Sequence, residues 1–157
     1  MSPDGDVTIE VVPGATPQDL LEHFRQLIKT SHFRRIIVHV GTNLIPVYHV
    51  NSVANIIIDC MRGIKKLSPN SKIAWSSILP KFSDSVLGAI NMINYRVFMG
   101  GQIGPKRVRF GAFNHLPEFM NSRGRVNPRY FMKDGIHLSV KGSEIFNRSL
   151  KGLVDMA

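Results

Sequence analysis

Apolar and polar positions change period along this chain, and the changes mark out its elements. Val7-Thr-Ile-Glu-Val-Val12 is β-branched and begins by alternating, which predicts a strand stopped by Pro13-Gly14. Thr16-Pro17-Gln-Asp19 reads as a helix start: Thr16 caps, Pro17 takes the first helical position and Asp19 faces the helix dipole. Leu20, Leu21, Phe24, Leu27 and Ile28 then recur at helical spacing, to about Thr30. Arg35-Ile-Ile-Val-His-Val40 is a near-continuous apolar run, as in a strand covered on both faces, and it ends in Gly41-Thr42-Asn43. A helix is expected from Val50 to Leu67, with Val53, Ile56, Ile57, Cys60, Met61 and Ile64 inward. Lys72 to Leu79 reads as a strand closed by Pro80, Asp84 to Phe98 as a helix begun by Ser83 or Asp84, and Arg107 to Phe110 as a short strand. A long irregular stretch leads to Asp134, and a last helix runs from Lys141 to Val154.

Strand and helix therefore alternate, which favours a parallel sheet with helices on both faces in a single α/β domain. Ligands bind such sheets beyond the carboxyl ends of the strands. The positions to inspect are Gly14, Gly41 to Asn43, Ser76 to Pro80 and the loop before the final helix.

Composition narrows the classes. A chain of 157 residues, 43% apolar and 20% charged, is expected to fold as one globular domain. One cysteine, Cys60, excludes an internal disulfide and a multi-cysteine metal site. No apolar run approaches the roughly 18 residues of a membrane span, and the start lacks a secretory pattern, so a soluble, intracellular protein, cytoplasmic or nuclear, is expected. The net charge of +9 is concentrated: Lys106, Arg107, Arg109, Arg123, Arg125, Arg129 and Lys133 share a stretch whose single acid before Asp134 is Glu118. Such a patch attracts polyanions such as nucleic acid, or is a solvated basic loop.

The candidate chemistry sits in loops. Asp134 and His137, spaced around Gly135, can act as orienter and base: the carboxylate fixes the imidazole tautomer and stabilises the imidazolium. The plainer reading of His137 is a histidine that packs or caps at a helix start. Asn43 can offer a side-chain N–H, and Gly14 a backbone N–H, to a developing oxyanion, each worth about 3 kcal/mol in a preorganised hole. The plainer reading makes both of them turn residues. Pro13-Gly14-Ala15 has neither the spacing nor the lysine of a phosphate loop, which disfavours a nucleotide-binding flavodoxin-like protein.

Val12-Pro-Gly-Ala-Thr16, Ile37-Val-His-Val-Gly-Thr-Asn43, Ser76-Ser-Ile-Leu-Pro80 and Lys133-Asp-Gly-Ile-His-Leu-Ser-Val-Lys-Gly142 occur in one order, each after the right element. In these blocks the chain resembles the SGNH/GDSL hydrolase family, in particular the esterase-type domains of retroelement-encoded and related eukaryotic proteins. The resemblance implies a flavodoxin-like three-layer α/β/α sandwich with a parallel sheet and acyl-ester hydrolysis without metal or cofactor. It also implies Gly14 and Asn43 as oxyanion-hole residues, and Asp134 and His137 as acid and base of a serine triad. Two departures stand out. Leu44 occupies the place of the family's Asp after the Asn. The family's first block, Gly-Asp-Ser after a first strand, is missing, and the only serine ahead of Gly14 is Ser2.

The missing strand lies, in the family's order, between the first two strands present here, leaving both without a neighbour. The chain is then an N-terminally incomplete domain, a re-paired non-catalytic fold, or one completed by a partner segment that adds a strand. A remnant that does not fold stably is a further reading. The nucleophile is unidentified: Ser2 is terminal, Ser76 and Ser77 read as structural, Cys60 as a buried helix residue and Ser139 as the cap of the last helix. Two functions remain open, an SGNH-type ester hydrolase and a binding module derived from its fold.

Overall fold

The structure, a computed structural model, describes Glu10, Val12 and residues 14–81 and 84–155. The expected strand over 7–12 lies outside the described residues, as do Ser2 and the expected cap Ser83. Helix α1 spans Pro17–Leu27, strand β1 Arg35–His39, helix α2 Val50–Leu67, strand β2 Lys72–Ser76 and helix α3 Asp84–Gly101. Strand β3 (Gly111–Phe113), the one-turn helix α4 (Leu116–Phe119) and helix α5 (Val140–Asp155) complete the order.

Local chemistry sets the element ends. Thr16 Oγ1 accepts from the Asp19 N–H at 3.2 Å while Asp19 Oδ2 accepts from the Thr16 N–H at 3.1 Å, a capping box that starts α1. Ser139 Oγ accepts from the Gly142 N–H at 3.1 Å in the first turn of α5 and donates to the Arg129 carbonyl at 2.6 Å, so one hydroxyl both caps α5 and ties down the preceding loop.

The three strands are all parallel, in the order β1-β2-β3, with Val38 beside Trp75 and His39 beside Ser76. Alternation sends Ile36, Val38, Ile73 and Trp75 to one face and Ile37, His39, Ala74, Ser76 and Phe113 to the other. The first face carries the main core: Val53, Ile57, Met61 and Ile64 of α2, Ile90, Ile93 and Val97 of α3, and Phe24 of α1 close over fully buried Trp75. Cys60 is buried in this core, and burial pushes its thiol up to about 12. On the second face lies α5, whose Phe146 ring centroid is 4.9 Å from that of His39 and 5.1 Å from that of His115. The result is the expected sandwich of helix, sheet and helix layers, with three strands among the described residues.

Three expectations change. The strand read over Lys72 to Leu79 ends at Ser76. Arg107–Phe110 is not a strand: Lys106–Val108 is a 3-10 turn capped by Pro105, and pairing with β2 begins at Gly111. Alternating charged and apolar residues in Arg107-Val-Arg-Phe110 imitated strand periodicity, whereas the ladder forms where Gly111 and Ala112 let β3 lie close to Ala74 and Trp75. The coverage of β1 on both faces is also incomplete, since His39 is exposed and Ile37 half-buried. β1 is an edge of the sheet among the described residues, and Phe146 of α5 packs on its second face.

The stretch before α5 is irregular yet organised. Short antiparallel bridges join Met120 to Val126 and Phe131 to Leu138, around a small core of Phe119, Val126 and Phe131. Gly142 belongs to this arrangement, because a Cβ there would collide with the Tyr130 carbonyl. Gly142→Ala is accordingly expected to cost about 2–3 kcal/mol, from forced separation of α5 and the 3-10 turn Pro128–Tyr130, measured as a shift in urea midpoint.

Candidate active site

Asp134 and His137 face each other across one tight turn. The Gly135 N–H donates to the Met132 carbonyl at 2.9 Å, the Met132 N–H to the His137 carbonyl at 2.8 Å, and Gly135 takes φ 68°, a left-handed conformation glycine adopts without strain. Inside the turn, Asp134 Oδ1 accepts from the N–H groups of Ile136 (2.9 Å) and His137 (3.0 Å). Its other oxygen, Oδ2, lies 2.6 Å from His137 Nδ1. The hydrogen bond from the His137 ring, helped by those two backbone N–H groups, holds the Asp134 carboxyl down at about 2. The carboxylate is thus ionised at neutral pH, Nδ1 carries the proton toward it, and Nε2 is the free acceptor. The His137 side chain is 74% exposed, so that acceptor is open to a reacting partner.

The other two candidates stand in turns after the preceding elements. Asn43 is exposed within a 3-10 turn, Thr42–Leu44, that follows β1 at the carboxyl edge of the sheet. Gly14 is exposed with φ 67° in the turn entering α1. Among the described residues, no hydrogen bond joins Asn43 or Gly14 to His137. Leu44, in the place of the family's Asp, is buried in the main core, so the turn at Asn43 is held by apolar packing.

None of the described serines is hydrogen-bonded to His137. Ser139 is committed to its cap, and Ser76 is fully buried. An open cavity of about 500 Å³ lies elsewhere, lined by Phe113, Glu118, Ile145, Arg148, Ser149 and Gly152. Among the described residues no group of three His, Cys, Asp or Glu side chains could hold a metal ion.

A second polar constellation escaped the reading of the sequence. Ser76 Oγ lies 3.1 Å from His39 Nδ1 and 2.6 Å from His115 Nε2. His115 Nδ1 lies 2.6 Å from Ser149 Oγ, which donates to Glu118 Oε1 at 3.2 Å. The His115 ring is completely buried between Phe113 and Phe146, and burial pushes it down to about 4. These residues are more than thirty positions apart in the chain, except Glu118. The one signal available is that His39 and Ser76 each end a strand and His115 follows one by two residues.

No protein-family model matches the chain, and no curated protein matches it in sequence. Solved structures do match. A GDSL-like lipase of Bacteroides thetaiotaomicron superposes with TM-score 0.66 at 20% identity, over 90% of this chain and 72% of that one. The OSK domain of Drosophila Oskar gives TM-score 0.67 at 13% identity, over 90% and 71%. A peptidoglycan O-acetylesterase gives 0.55 at 19%, over 87% of this chain and 42% of the other. The chain has the SGNH hydrolase fold. The likeness spans 90% of this chain for the lipase and for the OSK domain and 87% for the O-acetylesterase. No helix among the described residues is long and apolar enough to cross a membrane.

Proposed function

We propose that this is the acyl-ester hydrolase domain of an SGNH-type protein, with His137 as general base and Asp134 as its orienter. The carrying observation is the 2.6 Å bond between His137 Nδ1 and Asp134 Oδ2, which leaves Nε2 free and exposed on a fold shared with GDSL-like enzymes. In this reading Nε2 takes the proton of a serine hydroxyl as its oxygen attacks the acyl carbonyl. The imidazolium, stabilised by Asp134, gives that proton to the leaving alkoxide. Water then repeats the sequence and frees the acid. The Asn43 side-chain N–H and the Gly14 backbone N–H hold the negative oxygen in both steps.

The serine is to come from outside the described residues, on a strand that pairs with the outer edge of β1, joined to this domain or carried by a partner. The test is hydrolysis of short acyl esters by the full-length protein. Activity lost in His137→Ala supports the reading, and activity unchanged in that variant rejects it.

A second reading is favoured by a specific observation. Lys106, Arg107, Arg123, Arg125 and Arg129 are exposed and form no ion pair among the described residues, whereas Arg109 Nε is spent on the Gly104 carbonyl at 2.7 Å. On this reading the domain is a non-catalytic module that binds nucleic acid through these cations. Single-stranded RNA is then expected to bind at low salt, with an affinity that falls steeply as salt rises. Arg123→Glu with Arg125→Glu is expected to weaken it at least tenfold by fluorescence anisotropy, and an unchanged affinity rejects the reading.

A further inference from the structure

The buried chain of side chains linking His39 to Glu118 has a single possible direction. A carboxylate only accepts hydrogen bonds, so the Ser149 hydroxyl proton points at Glu118 Oε1. Ser149 Oγ must then accept from the atom 2.6 Å away, His115 Nδ1, which therefore carries the proton of that ring. A neutral imidazole has one N–H, so His115 Nε2 is bare and accepts from Ser76 Oγ, also at 2.6 Å. With its proton used there, Ser76 Oγ accepts from His39 Nδ1 at 3.1 Å. The direction set at an exposed carboxylate on α4 thus passes through three buried side chains and emerges at an exposed ring on β1.

We propose that Glu118 is a positioning residue for His39: the relay holds the His39 ring with Nδ1 protonated, making its Nε2 a fixed proton acceptor for a hydroxyl donor at the carboxyl end of β1. This is distinct from the Asp134–His137 pair and does not depend on it. His39 is the last residue of β1, two positions before Gly41, and the edge of β1 has no strand beside it among the described residues. The buried members have no competing partners that would reverse the order. Both His115 nitrogens are taken up by Ser76 and Ser149, the rest of the ring packs against Phe113 and Phe146, and Ser76 is fully enclosed.

The relay also gives a captured proton somewhere to go. A hydroxyl donor passes its proton to His39 Nε2 as its oxygen's electron pair bonds to an acyl carbonyl carbon, whose C=O pair moves onto the carbonyl oxygen. The Nδ1 proton of His39 moves to Ser76 Oγ as the Ser76 proton moves to His115 Nε2. The Nδ1 proton of His115 moves to Ser149 Oγ as the Ser149 proton moves to Glu118. One proton enters and one is bound at the carboxylate, both rings return neutral in the opposite tautomer, and no charge rests on the buried imidazole.

The test is the tautomer of each ring, read in the intact chain by proton–nitrogen two-bond correlation NMR above pH 7. The expected result is the Nδ1–H form for both His39 and His115. Glu118→Lys, in which the carboxylate is replaced by a group that only donates, is expected to shift at least half of the His39 population to Nε2–H. Ser149→Ala, which cuts the relay, is expected to do the same, with the backbone amide spectrum reporting that each variant is folded. An Nε2–H form of either ring in the wild type, or His39 unmoved by both substitutions, overturns the proposal.

Discussion

His115→Ala is expected to destabilise the domain by about 3–4 kcal/mol, the largest single effect among its polar residues. Three costs combine. The ring is completely buried and leaves a cavity between Phe113 and Phe146. Ser76 Oγ loses its closest partner in a site without water access. Ser149 Oγ loses the donor that orders it against Glu118. The same ring confers acid sensitivity. Its folded value of about 4 lies below the 6.5 of a free histidine, so the unfolded chain binds a proton that the folded chain refuses. That contribution to stability is fully present above 6.5 and is lost as pH falls toward about 4, amounting to about 3 kcal/mol. Urea titrations between pH 7 and 4 are expected to show the decline in the wild type and a much flatter profile in His115→Ala. The Asp134 carboxyl has the same sign but a separate window, between 3.8 and about 2.

The second large effect concerns chemistry. In the full-length protein, Asp134→Asn is expected to lower kcat for a short acyl ester about 10³-fold while leaving the fold intact. An Asn at 134 can still accept the two backbone N–H bonds that shape the turn. It no longer presents a charged acceptor to Nδ1, so the ring loses its enforced tautomer and the imidazolium its counter-charge. A structural role for the turn alone predicts instead a change in stability with kcat preserved, and parallel melting curves separate the two. Cys60→Ala tests a simpler point: the buried thiol donates to the Pro17 carbonyl at 3.2 Å and has no access to substrate, so activity is expected to be unchanged.

The parts of this fold that local patterning controls were legible. α2 occupies Val50–Leu67, the span its apolar spacing indicates, because one face of that helix alone meets the core. The capping of α1 by Thr16 and of α5 by Ser139 follows from side chains within three residues of the groups they satisfy. What depended on distant neighbours was not legible. β3 forms where β2 offers a close-packed edge, not where charge alternates, and so lies at Gly111–Phe113. The exposure of His39 and partial exposure of Ile37 were not legible either, since they follow from β1 lying at the sheet edge among the described residues. In the site, Asp134 and His137 could be paired from spacing because one turn joins them. The relay from His39 to Glu118 could not, since it exists through the register of β1 against β2 and the docking of α5. Leu44 shows the reverse case: a departure from the family pattern whose effect became readable once its side chain was placed in the core.

In the proposed mechanism His137 is a base with no described serine hydrogen-bonded to it. The most direct measurement is exposure of the folded 157-residue chain to a fluorophosphonate, with mass-spectrometric mapping of any adduct and His137→Ala in parallel. The account predicts no His137-dependent adduct on this chain alone, and an adduct on the added serine once the strand proposed to carry it is supplied. A His137-dependent adduct on one of the described serines would contradict it, and would place the nucleophile inside the structure at a residue assigned here to packing or capping.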